Sequence, residues 1–126
     1  MKPVLNSIIL FVQNTDKLKI FYMDVLGLEL VEEIPSQWVL LKAGTSTLGL
    51  HRIGEGYEPA PGTDFKAESN TKIVFEIEDH LFSQREMLSE QQVNIGTVKT
   101  FDNYDYWLCD GEDPEGNVFQ LKQKKN

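Results

Sequence analysis

The chain has 126 residues, 40% of them hydrophobic, with twelve basic against twenty acidic side chains and a formal net charge of −8. That length suits one domain of ordinary size, and the apolar share is too high for a disordered chain. The acidic surplus argues against a nucleic-acid partner, whose phosphates it would repel, and mildly favours neutral or cationic small molecules.

Met1-Lys2-Pro3 leads straight into a strand-like run, without a signal peptide's apolar block. No stretch is long enough to span a bilayer, so no membrane partner is expected. Cys109 is the single cysteine. No disulfide can form within the chain, and a reducing, cytoplasmic setting is expected.

Residues 4–12 are apolar and β-rich and predict a buried strand. Asn14 can cap a helix whose first turn holds Asp16. Leu18, Phe21, Tyr22, Val25 and Leu26 then recur at one-face helical spacing. Gly27 can close that helix in the left-handed conformation. Residues 28–34, 38–42 and 47–53 predict three strands, separated by turns at Pro35-Ser36 and Ala43-Gly44. Residues 54–70 hold glycines and prolines without a regular period and predict a long linker, a length that is often functional. Tyr57 and Phe65 within it either tether the linker or form a lid over a ligand.

The pattern then restarts. Residues 73–77 predict a strand, and Asp79 can cap a helix running to about residue 91. That helix shows a weaker apolar face of Leu81, Phe82, Met87 and Leu88. Residues 93–101, 106–109 and 118–122 predict three more strands. Between the last two lies Asp113-Pro114-Glu115-Gly116-Asn117. Pro114 presets φ, and Gly116 takes angles that other residues resist, so this run is a tight turn. In the strand after it, Phe119 and Leu121 face one way, Val118 and Gln120 the other. Lys122, Lys124 and Lys125 make a basic, solvated end.

The order is βαβββ, linker, βαβββ: module one at 1–53, linker at 54–70 and module two at 71–126. The halves match at an offset of 65, with Ile8 over Ile73, Val12 over Ile77 and Asn14 over Asp79. Such a repeat implies two similar modules in one α+β domain. Each leaves one sheet face uncovered by its helix. Two curved mixed sheets side by side would enclose a central cleft, where small ligands preferentially bind.

The run from Ile20 to Leu28 resembles FYxxxLG[FL], the first-module signature of the vicinal oxygen chelate superfamily. The Asp113 turn with its strand resembles that superfamily's second signature, DPxGN-x-x-E-L. The superfamily includes glyoxalase I, bleomycin- and fosfomycin-resistance proteins and extradiol dioxygenases. The resemblance covers nearly the whole chain and implies the fold, a ligand in the cleft and a homodimer. It does not specify a reaction.

Metal-dependent members place ligands early in each module's first strand, on the fourth strand and on the eighth. Here those positions fall on Ser7, Lys72, Gly49 or His51, and Gln120. A hydroxyl and a neutral amide are weak ligands for a divalent metal, and an ammonium repels it. One imidazole does not make a site, and His80 begins the second helix on the wrong side of the sheet. A metal-free protein without a cofactor is therefore expected. The alternatives are a metal-dependent glyoxalase or dioxygenase built on His51 with a carboxylate such as Glu29, Glu32 or Glu76, and a metal-free lyase or isomerase using Lys72 or His51 as base.

Trp38, Tyr104, Tyr106 and Trp107 lie on or beside the cup-forming strands. Tyr106 and Trp107 point to opposite faces, so at most one of them faces the ligand. Metal-free members of the bleomycin-resistance type bind flat, often cationic compounds by stacking on such rings. The expected function is sequestration or sensing of an aromatic or amphipathic ligand. The ligand-binding set is Ser7, Trp38, His51, Lys72, Trp107 and Gln120, and no residue is assigned a catalytic role.

Overall fold

The computed structural model describes residues 1–54, 65–68 and 70–126. The chain divides into two compact units, residues 1–65 and 66–126. The boundary falls inside the predicted linker. Tyr57 lies outside the described residues, and Phe65 is half-buried. Among the described residues, no helix is long and apolar enough to cross a membrane.

The first unit holds β1 (Ser7–Val12), α1 (Thr15–Ile20), a wider π-helical turn (Phe21–Val25), β2 (Glu29–Ile34), β3 (Trp38–Ala43) and β4 (Ser46–Arg52). Its sheet has the order β1-β4-β3-β2, with β1 parallel to β4 and the other pairs antiparallel. The Asn14 side chain accepts a hydrogen bond from the Lys17 amide at 3.0 Å and starts the helix as its sequence position predicts. The continuation past Phe21 is not α-helical. The Leu26 amide reaches the Phe21 carbonyl, five residues back, before Gly27 turns the chain at φ 81°.

One face of this sheet packs under the helix. Val12, Val39, Leu41, Leu48 and Leu50 are buried there, as are Leu18, Phe21 and Tyr22 of the helical segment. Each large apolar side chain so buried contributes about 1.5–3 kcal/mol. The other face of β1 stays open, with Ile9 48% and Phe11 63% exposed. The expectation of a fully buried first strand is thus corrected. The strand starts at Ser7, Val4 and Leu5 are exposed ahead of it, and it is buried on one face only.

The second unit holds β5 (Lys72–Ile77), α2 (Leu81–Glu90), β6 (Tyr106–Glu112) and β7 (Val118–Lys124), ordered β5-β7-β6. Here β5 runs parallel to β7, and β6 antiparallel to it. The offset of 65 holds at both ends of the opening strands, since Ser7 and Val12 of β1 correspond to Lys72 and Ile77 of β5.

Two predictions fail in this unit. Residues 93–101 do not form a strand; they meet β6 only through isolated bridges, Ile95 with Gly111 and Lys99 with Leu108. Between those bridges the outer segment advances one residue more than β6 does. The extra residue makes a bulge that breaks the ladder. Asp79, for its part, does not cap α2. His80 precedes the helix in the left-handed conformation at φ 66°, and its side chain makes no cap bond. The Leu81 amide instead donates to Gln123 Oε1 of β7 at 2.7 Å.

The turn between β6 and β7 is built on one carboxylate. Asp113 Oδ1 accepts from the amides of Glu115 and Asn117 at 2.9 and 3.0 Å, and Oδ2 accepts from Asn117 Nδ2 at 2.8 Å. Gly116 supplies φ 84°. Asp113, Glu115 and Asn117 are all buried. Asp113→Ala leaves buried donors without an acceptor and should cost about 3 kcal/mol in urea unfolding. By the same measurement Gln123→Ala should cost about 1 kcal/mol through the lost helix cap. Asp79→Ala, at an exposed position that caps nothing, should change stability by less than about 0.5 kcal/mol.

Candidate functional site

Alternation sets the open face of each sheet. In the first unit, Ser7, Ile9 and Phe11 of β1 pair with Thr47, Gly49 and His51 of β4, which pair in turn with Lys42, Leu40 and Trp38 of β3. The Trp38 indole lies down on this face across Gly49. A Cβ added at Gly49 would stand 2.4 Å from Trp38 Cη2 and 3.1 Å from Ile9 Cγ1, so only glycine leaves room for the ring. Trp38 Nε1 donates to Glu32 Oε1 at 3.2 Å, which holds the indole's polar edge. His51 stands between two rings, with centroids 5.4 Å from Phe11 and 6.1 Å from Trp38. Its Nδ1 donates to the Arg52 carbonyl at 2.7 Å, which places the lone pair of the neutral ring on Nε2.

Gly49 is the floor under Trp38, and His51 stands beside the indole on the same strand face. Ser7 sits opposite Thr47, four residues along β4 from His51, or about 13 Å at strand rise. The structure therefore brings Trp38 and His51 together and leaves Ser7 at the far end of the same face.

In the second unit, the open face carries Lys72, Val74 and Glu76 of β5, Val118, Gln120 and Lys122 of β7, and Leu108, Asp110 and Glu112 of β6. Asp110 is its polar centre. Lys72 Nζ donates to Asp110 Oδ2 at 2.8 Å, and Gln120 Nε2 donates to Oδ1 at 2.9 Å. Lys99 Nζ stands 3.7 Å from Oδ2. Burial pushes the Asp110 carboxyl up, but the hydrogen bonds from Lys72 and Gln120 and the charges of Lys72 and Lys99 outweigh it. The net effect holds the carboxyl below its ordinary value.

Lys72 and Gln120 thus meet through Asp110, which is not in the expected binding set. The sequence predicts a strand over 106–109, yet β6 runs on to Glu112. The alternation of Tyr106, Leu108 and Asp110 was the available signal. Trp107 lies on the opposite face from Lys72 and Gln120, edge-on to Phe82 of α2 at 5.4 Å between centroids, with Lys125 Nζ 4.7 Å over its ring. Tyr106 is the member of that pair on the Lys72 face, with Lys122 Nζ 4.0 Å above its ring. Cys109 is fully buried, and its thiol donates to the Gly96 carbonyl at 3.4 Å. Burial pushes that thiol up, which keeps it a poor nucleophile.

The residues at the family's metal positions do not suit a divalent ion. In the first unit they offer a serine hydroxyl, a glycine and a histidine far along the strand from that serine. In the second, the ammonium and the amide are both engaged by Asp110. Among the described residues, no group of three or more His, Cys, Asp or Glu side chains comes together. A dication would have to displace Lys72 from Asp110 against its own charge.

Residues 4–121 match the Glyoxalase/Bleomycin resistance protein/Dioxygenase superfamily. Among solved structures the chain is similar to lactoylglutathione lyase from Agrobacterium tumefaciens, at 21% identity and TM-score 0.74 over 97% of this chain and 94% of that one. It is similar to TnmS3, an antibiotic binding protein from a Streptomyces species, at 19% identity and TM-score 0.74 over 98% of each chain. It is also similar to the fosfomycin resistance protein FosX from Listeria monocytogenes, at 13% identity and TM-score 0.76 over 99% of this chain and 96% of that one. No curated protein matches. At such identities the likeness to these structures is one of fold. With the signatures at Phe21 and Asp113 in place and a match that runs through both halves, the chain belongs to the glyoxalase/bleomycin resistance protein/dioxygenase superfamily.

Proposed function

We propose that this protein is a metal-independent small-molecule binding protein of the glyoxalase/bleomycin-resistance type. It sequesters or senses an aromatic or amphipathic ligand, which stacks on the open sheet face of the first unit. The observation that carries this reading is the Trp38 indole seated over Gly49, with its edge held by Glu32 and with His51 and the exposed Phe11 beside it. A ring fixed in that way offers its π-face without losing rotamer freedom on binding. The chain's net charge of −8 favours a neutral or cationic partner for it.

The donor chemistry supports the metal-free part of this reading, since Lys72 stands where a metal ligand would have to be. Cytoplasmic residence, which the lone buried Cys109 favours, and a homodimeric assembly belong to the same proposal. The fold likeness to TnmS3, an antibiotic binding protein, is consistent with a stacking ligand.

Titration with proflavine, a planar aromatic cation, tests the site through quenching of tryptophan fluorescence. Saturable quenching is expected. Trp38→Ala should weaken binding about tenfold, the size of one lost stacking or cation–π contact. Gly49→Ala should do the same by lifting the indole from the sheet, with a change in near-ultraviolet circular dichroism. Trp107→Phe, on the other face of the other sheet, should leave affinity unchanged. Affinity lost with Trp107 and kept in Trp38→Ala would overturn the assignment. Metal analysis of the purified protein should find no stoichiometric transition metal; one equivalent of nickel, zinc, iron or manganese per chain would defeat the metal-independent reading.

A further inference from the structure

We propose that Lys72 and Lys99, gathered on Asp110, form an anchoring site for a small oxyanion, the carboxylate or phosphate of a ligand, on the open face of the second unit's sheet. This inference goes beyond the aromatic face and stands independently of it. It rests on how the charges are arranged.

Both ammonium groups converge on the same oxygen, Asp110 Oδ2, at 2.8 Å from Lys72 and 3.7 Å from Lys99. They are therefore no further apart than the sum of those distances. One carboxylate cannot neutralise two ammonium groups, so the cluster keeps a net positive charge within a chain of net charge −8. The lysine side chains are 42% and 51% exposed, and Asp110 is 30% exposed. The cations are thus presented to solvent above the carboxylate that holds them.

Each ammonium carries three donors. Among the described residues, Lys72 gives its hydrogen bond to Asp110, and Lys99 stands too far for a short one. The remaining donors suit the several acceptor lone pairs of an oxyanion. Gln120 fixes the second Asp110 oxygen at 2.9 Å, so the carboxylate does not swing as an anion arrives.

Of the other carboxylates on this face, Glu112 Oε2 accepts from the neutral Asn94 Nδ2 at 2.8 Å, and Glu76 stands in register with Lys122. The bulged segment gives the site its second cation. The bridge at Lys99 and Leu108 places Lys99 on the Asp110 side of β6. A regular fourth strand in the register of the Ile95 bridge would turn position 99 to the opposite face. An ion pair that served only stability would need one lysine, whereas two on one oxygen create an excess that an anion can use.

Nitrogen-15-labelled protein titrated separately with inorganic phosphate and with acetate, at ionic strength held constant with chloride, tests the proposal. Saturable amide shifts are expected around Lys72, Asp110, Gln120 and Lys99 with at least one of the two anions. Lys72→Met and Lys99→Met should each weaken that binding about tenfold, the worth of one charge-assisted hydrogen bond. Lys99 is half exposed and only loosely paired, so its variant keeps the test decisive should Lys72→Met fail to fold. Shifts that rise linearly without saturation with both anions, or equal affinity in wild type and both variants, would overturn the site. Neither probe contains a ring, so failure here leaves the Trp38 site standing, and failure of proflavine binding leaves this one standing.

Discussion

The Asp113 carboxylate is the constraint on which the second unit depends. Holding two backbone amides and the Asn117 side chain at once fixes the turn, and the turn fixes how β7 lies against β6. Every cross-strand relationship follows from that register. Gln120 comes opposite Asp110, and Phe119 comes opposite Gly111, where its ring folds over the space a side chain would fill. A slip of one residue would send Phe119 and Leu121 to the open face and separate Gln120 from Asp110. A buried acceptor with several strong donors is expensive to leave unmatched, which is why this turn tolerates so little change.

Glycine serves the two sheets in the same physical way on opposite sides. Gly49 makes room for Trp38 on the open face of the first sheet, and Gly111 makes room for Phe119 on the covered face of the second. In one unit the missing side chain creates a surface for recognition, and in the other it closes a core. The faces that remain open differ in kind. The first is lined by Trp38, His51, Phe11 and Ile9. The second is organised by Asp110 between two lysines and an amide.

Local chemistry was legible in the sequence. The Asn14 cap, the positive-φ glycines at 27 and 116, the alternation in the last strand and the 65-residue offset of the opening strands were readable from the residues themselves, and the structure bears them out. What escaped depends on partners far along the chain. Gln123 caps α2 from a strand 42 residues away, and it takes the place assigned to Asp79. The bulge that spoils residues 93–101 exists only relative to the register of β6. At the site, the strand face shared by Gly49 and His51 could be read from alternation, as could the facing of Gln120 away from Phe119 and Leu121. Asp110 escaped, although the alternation of Tyr106 and Leu108 extends to it, because Gly111 suggests a strand end, whereas in three dimensions it is the cavity for a phenylalanine ring. The exposure of Phe11 was hidden for a similar reason, since an apolar run does not show which of its faces the helix will cover.

The 65-residue offset has a consequence for how such a protein can change. Two copies of one template now carry unlike chemistry at matching places, a serine at position 7 and a lysine at position 72. The rings at Trp38, His51 and Phe11 lie on strands of the first unit, and the charges at Lys72 and Asp110 lie on strands of the second, so each set can be altered by its own substitutions. Lineages built on such a doubled plan can adjust hydrophobic preference and ionic preference by separate steps, each visible to selection without undoing the other.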